Sequence, residues 1–111
     1  MTNTDSIVIA TDFTEAPGAR YRTDGPKSGQ EFLEELLEPR FMSAMKADRK
    51  LLIDLDGTWG YASSFISGAF GILSRKYGRE KVTQYLTFKS DEDSVLLEKV
   101  RAEIEKESTV A

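Results

Sequence analysis

The first dense run of apolar side chains, Ile7-Val8-Ile9, predicts a strand over residues 6–10. Pro17-Gly18 then signals a turn. Beyond it Arg20 and Arg22 alternate with Tyr21, the two-residue period of an exposed strand. Residues 6–10 and 19–23 therefore read as a hairpin, broken after its second strand by Asp24-Gly25-Pro26. The period changes next. Ser28 and Glu31 have capping-box spacing, and Phe32, Leu33, Leu36 and Leu37 recur behind them at helical intervals, so a helix starts just after Ser28. Pro39 has no N–H to donate to the preceding turn and is expected to bend or restart that helix. Phe41, Met42 and Met45 continue the apolar stripe to about Lys46.

Leu51, Leu52, Ile53 and Leu55 make a dense apolar strand, expected to be central and covered on both faces, with Asp54 and Asp56 at its C-terminal end. Residues 57–61 form a loop. A second helix is predicted over 63–77, with Gly78 just past its end. Phe65, Ile66, Ala69, Phe70, Ile72 and Leu73 make its first half apolar nearly all round, so it should be the most buried helix. Gly68 and Gly71 are poor helix formers, and their presence implies a neighbouring backbone at close range. Residues 82–88 read as a strand, and Ser90 with Asp93 as a second capping box. The last helix carries Leu97, Val100 and Ile104 inside and Glu98, Lys99, Arg101 and Glu103 outside, ahead of a frayed tail over 107–111. The order β-β-α-β-α-β-α defines an α/β class. The expectation is one small domain over 1–111, core about 6–106, with a mixed four-stranded sheet and helices packed against it.

Composition narrows the chemistry. The 111 residues include no cysteine and no histidine, which excludes disulfides, Cys–His zinc sites, thiol nucleophiles and every Ser-His-Asp triad. No cofactor and no resident metal are expected. With 19 acidic against 15 basic residues the formal charge is −4, which argues against a nucleic-acid partner. Arg75, Lys76, Arg79 and Lys81 are the nearest thing to a basic patch, and read as the positive end of a helix complementing its dipole. No apolar run approaches a membrane span and the start is polar rather than signal-like, so a soluble cytoplasmic protein is expected.

One short motif points to catalysis. Leu51–Trp59, LLIDLDGTW, resembles the first motif of haloacid-dehalogenase-like phosphatases. That resemblance implies a Mg²⁺-dependent phosphatase with Asp54 as nucleophile and Asp56 as acid/base. Such enzymes need a long α/β core after the motif, and only 55 residues follow Asp56. The other reading of Asp54 and Asp56 is a loop-capping role at a buried strand end.

A second resemblance runs from about Ile7 to Ile104. Arg20, Gly25, Ser28-Gly29 and Phe32, then LLIDLDG, then Gly60-Tyr61-Ala62-Ser63-Ser64-Phe65 and Ala69-Phe70-Gly71 resemble the bacterial STAS-like domain of unknown function, named for the STAS domain of anti-sigma factor antagonists. The resemblance implies a non-enzymatic regulatory module that binds a protein partner, a histidine-kinase-like ATPase or an anti-sigma-type regulator. In the antagonists a serine at the start of the helix after a central strand is phosphorylated, which corresponds here to Ser63, with Ser64 beside it. Ala62 and Phe65 depart from the D-S-x-G signature of the antagonists.

A phosphate at a helix N-terminus meets free N–H groups and a favourable dipole, yet adds close to two negative charges to a docking face. The alternative for Ser63 or Ser64 is a plain N-cap. Trp59 and Tyr61, with Phe65, are candidates for partner contact because aromatics dominate binding hot spots; Trp59 packed over the sheet edge is the other reading. Arg20 and Arg22 would meet either an acidic partner or water.

Overall fold

Three strands run parallel in sequence order, β1 (Ser6–Val8), β2 (Leu51–Asp54) and β3 (Leu86–Lys89), in the computed structural model, which describes residues 6–108. Five helices accompany them among the described residues: α1 (Ile9–Asp12), α2 (29–47), α3 (63–77), α4 (Arg79–Tyr85) and α5 (Ser94–Ser108). The register sets Ser6, Leu52 and Thr87 side by side, then Val8, Asp54 and Lys89. Ile7, Leu51, Ile53 and Leu86 point from the sheet into a core shared with Phe32, Leu37 and Phe41 of α2 and with Phe65, Phe70 and Leu73 of α3. The chain is thus a small α/β domain.

The sheet corrects two expectations. It has three parallel strands instead of four in a mixed arrangement, because residues 19–23 form no strand. Their alternation comes from loop packing: the Arg20 guanidinium donates to Ser67 Oγ at 2.7 Å, Arg22 reaches Glu34 and Glu35 at 3.2 Å each, and Arg22–Asp24 closes a single 3₁₀ turn. Neither arginine is therefore left to water or to an acidic partner alone. The central strand is also covered on one face only. Ser6, Val8, Leu52, Asp54, Thr87 and Lys89 occupy the opposite face, all at least partly exposed, although parallel sheets are normally buried on both sides.

The helices follow the sequence more closely. Ser28 Oγ caps α2 by accepting the Glu31 N–H at 3.0 Å, and Glu31 returns a bond to the Lys27 N–H at 3.0 Å. Pro39 does not restart α2. The turn Leu33–Leu37 widens to π geometry, with the Glu38 N–H bonded to the Leu33 carbonyl, and this loosening accommodates the ring one residue on. Met42 points outward at 50% exposure and leaves the stripe to Phe41, Ala44 and Met45. Helix α3 keeps its expected limits, ends at Gly78, and buries every residue from Phe65 to Gly71.

Helices α2 and α3 cross at backbone contact. A Cβ on Gly29 would lie 2.5 Å from the Phe65 carbonyl oxygen, and one on Gly68 only 2.6 Å from the Arg20 carbonyl oxygen. A tie at the far end joins the same helices. Glu38 accepts from Lys76 Nζ at 2.6 Å and Tyr77 Oη at 2.7 Å. Burial tends to raise the Glu38 carboxyl, but those two bonds hold it below its ordinary value, while burial and the carboxylate push the Tyr77 phenol up to about 12.

The expected strand over 82–88 divides. Residues 79–85 are helix α4, with Val82 and Tyr85 turned inward at helical spacing, and only Leu86–Lys89 is strand. At α5 the cap is Asp93, whose carboxylate accepts the N–H groups of Val95 and Leu96, whereas Ser90 Oγ donates to the Asp93 carbonyl. Leu96, Val100 and Ile104 form the buried stripe of α5. The expected tail overlaps its last turn, which runs to Ser108, and residues 109–111 lie outside those described.

Candidate functional site

The connection between β2 and α3, residues 55–62, sits at the C-terminal ends of the strands, where α/β sheets characteristically present binding groups. Its backbone is held from outside by residues 15–20. The Glu15 carbonyl accepts the Trp59 N–H at 2.7 Å, the Pro17 carbonyl the Ala62 N–H at 3.1 Å, and the Gly18 carbonyl the Ser64 hydroxyl at 2.9 Å. The same segment then crosses the start of α2, where the Ala19 and Arg20 carbonyls accept from Gly29 and Gln30. Pro17-Gly18 therefore makes no turn: residues 16–19 carry neither turn nor bend and belong to a strap across two helix starts instead of a hairpin.

The candidate residues fall into distinct environments. Trp59 is 83% exposed and does not cover the sheet edge. Tyr61 is half-buried, donates its hydroxyl to the Leu55 carbonyl at 3.0 Å and leans on Phe65. Burial raises the Tyr61 phenol well above its usual value, so it stays a neutral brace beneath the loop. Phe65 is wholly buried between Phe32 and Tyr61 and has no surface to offer a partner; its apolar ring belongs to the aromatic row Phe13–Phe32–Phe70–Phe88 that supports the loop from below.

Ala62, not a serine, occupies the N-cap of α3, and neither Ser63 nor Ser64 makes a side-chain cap. Ser63 is exposed at the first helical position. Ser64 is less exposed and committed to Gly18. The two neighbours are therefore unequal: one hydroxyl faces solvent, the other ties the strap to the helix.

Asp54 and Asp56 are brought together with Lys89 and the β3–α5 loop. Asp54 Oδ1 accepts the Asp56 N–H at 3.0 Å. The Asp56 carboxylate accepts the Asp91 and Glu92 N–H groups, both at 3.0 Å, and Lys89 Nζ at 2.9 Å. Glu92 in turn accepts the Gly57 N–H at 3.0 Å. The Glu92 N–H, then Lys89, then the Asp91 N–H pull the Asp56 carboxyl down to about 2. Hydrogen bonds to Asp56 and Asp91 hold the Lys89 ammonium above its ordinary value. Both Asp56 oxygens thus accept from groups of the chain itself, the arrangement of a loop-capping carboxylate. Lys89 and the acidic run Asp91-Glu92-Asp93 are visible in the sequence as groups a phosphatase could draw on; in the fold Lys89 and the Asp91 and Glu92 N–H groups bind Asp56 instead.

A small cavity of about 190 Å³ lies where the two loops meet, with Trp59, Tyr61, Leu96 and Lys99 on its walls. Among the described residues no group of three or more acidic side chains is placed to hold a metal ion. No described helix is long and apolar enough to cross a membrane.

A one-sided parallel α/β sheet, with an exposed aromatic loop leading into a buried helix, defines a small domain whose distinguishing surface is that loop. The family model described as the STAS-like domain of unknown function (DUF4325) matches residues 28–96, from the cap of α2 into the first turn of α5, and the chain belongs to that family. No curated protein and no solved structure matches the chain.

Proposed function

We propose that this STAS-like domain is a non-enzymatic regulatory module that docks a protein partner through the Trp59 loop and the start of α3. The partner class is a histidine-kinase-like ATPase or an anti-sigma-type regulator, and phosphorylation of Ser63 is the control. The observation that carries the reading is Trp59, a tryptophan 83% exposed on a loop whose backbone is fixed by Glu15 and Pro17. An exposed aromatic on a rigid loop contributes large contact area with little ordering cost, the property of a binding hot spot.

Ser63 lies four residues further on, exposed, at the first position of α3. A phosphate there would be compatible with the helix, because it meets N–H groups and the positive dipole end. It would also add about two negative charges at the start of α3, four residues along the chain from the docking aromatic, and disfavour an acidic partner surface. Ser64 is the poorer acceptor, since modifying it breaks the bond to Gly18.

The test is incubation with Mg-ATP and a histidine-kinase-like ATPase from the same genome, followed by mass mapping. A phosphate on Ser63, absent from Ser63→Ala, is the expected result. Binding of the ATPase without modification would leave a plain interaction module, and neither binding nor modification would remove this partner class.

A further inference from the structure

The two edges of the sheet are treated differently by the chain, and the difference points to a second binding surface. On β1 the groups directed away from β2 include the Ser6 carbonyl and the Val8 N–H. Arg40 donates to the first at 3.1 Å, and the Asp12 carboxylate accepts from the second at 2.8 Å. That edge is closed by the chain's own side chains, a recognised way to prevent strand addition.

On β3 the Lys89 carbonyl accepts the Leu55 N–H at 2.8 Å and so faces β2. Backbone polar groups alternate in direction along a strand, so the Phe88 N–H and carbonyl and the Leu86 carbonyl face away from the sheet. The Leu86 N–H is already taken by Val82. Among the described residues no strand lies beyond β3. A groove of about 360 Å³ runs along this edge, bounded by Leu86 and Phe88 on one side and by Arg101 and Ile104 of α5 on the other. Lys50 lies at the groove, and its ammonium donates to the Gln84 carbonyl at 2.6 Å. The acidic side chain there, Glu105, is already bound to Arg79 at 3.2 Å. The unbalanced charges in the groove are thus the cations Lys50 and Arg101.

We infer that the β3 edge takes an extended, acidic segment of a partner protein as a fourth strand. The backbone of that segment bonds to Phe88 and the Leu86 carbonyl, its apolar side chains enter the groove beside the partly exposed Phe88, and its carboxylates meet Lys50 and Arg101. Strand addition of this kind draws affinity from main-chain bonds and selectivity from flanking side chains. The surface shares no residue with the Trp59 loop, so the inference stands independently of the regulatory reading.

The probe is an N-acetylated, C-amidated hexapeptide alternating valine and glutamate, titrated into the full chain. Calorimetry would follow binding, and amide exchange would follow Phe88. Saturable binding that slows exchange at Phe88 is expected. Replacing the glutamates by lysines, or N-methylating alternate residues of the peptide, should abolish it. The exposed charge reversals Lys50→Glu and Arg101→Glu together should weaken binding by about tenfold. Absence of saturable binding, binding that survives N-methylation, or slowed Phe88 exchange that depends only on protein concentration would overturn the inference. The last outcome would assign the edge to a second copy of the chain.

Discussion

The Arg20 carbonyl lies against Gly68, so closely that a Cβ at position 68 would come within 2.6 Å of its oxygen. Both neighbours of that contact are backbone, which cannot swing aside as a side chain can. Gly68→Ala is therefore expected to destabilise the domain by about 1–3 kcal/mol, despite a helix-propensity gain of about 1 kcal/mol. Urea unfolding reads the sign. A stabilised variant would mean that the strap over residues 15–20 does not bear on α3.

Asp56 links the two loops at the strand ends through a carboxylate held down at about 2, against an ordinary 3.8. Because the folded value is the lower one, the charged form favours folding. The contribution is complete above about pH 4 and disappears as pH falls towards 2. Asp56→Asn should lower stability near neutrality and flatten its decline in that acid window. Unfolding free energies measured at about pH 6 and about pH 3 decide it: equal slopes for the two proteins would contradict the anchoring role.

Asp93 caps α5 by accepting from Val95 and Leu96. Asp93→Ala should cost about 1 kcal/mol, a normal figure for losing a helix cap. Ser90→Ala should cost less, since the Ser90 hydroxyl donates to a carbonyl and caps no helical N–H. Thermal unfolding of both variants gives the ranking.

Tyr61 braces the loop between β2 and α3 by donating to Leu55 at 3.0 Å. Tyr61→Phe keeps the ring on Phe65 and removes that bond, so a loss of about 1 kcal/mol is expected. Faster amide exchange confined to residues 57–61 would accompany it, whereas unchanged exchange would show that the loop is held by Glu15 and Pro17 alone.

The long helices were legible because several signals agreed. At α2 the Ser28 cap, the spacing of Phe32, Leu33 and Leu37, and the apolar run to Lys46 agree on the helix, and only the break expected at Pro39 is absent. At α3 two glycines inside an apolar helix foretold a close backbone neighbour, and Gly68 has one. Family membership followed from the same blocks, DLDG and SSF…AFG, which lie within the matched residues.

What misled was local pattern without its tertiary cause. Arg20, Tyr21 and Arg22 alternate because one arginine reaches Ser67 and the other Glu34 and Glu35, and no pleat is involved. Val82, Thr83 and Tyr85 have strand propensity, but burial of Val82 with Tyr85 turned inward makes them a helix, an outcome that depends on packing against neighbours. At the site, Phe65 carries two signals, the apolar first half of α3 and a place beside the loop, whereas Trp59 carries only the second. Only the crossing of α2 and α3 assigns Phe65 to the core.

The measurement that bears most directly on the account is calorimetric titration of a histidine-kinase-like ATPase from the same genome with three forms of the chain: unmodified, Trp59→Ala and Ser63→Asp. Trp59 and Ser63 are both exposed, so all three should unfold at nearly the same denaturant concentration. The account predicts that the unmodified chain binds, that Trp59→Ala loses about 2 kcal/mol or more of affinity, and that Ser63→Asp is weakened as well. Full affinity in both variants would contradict it.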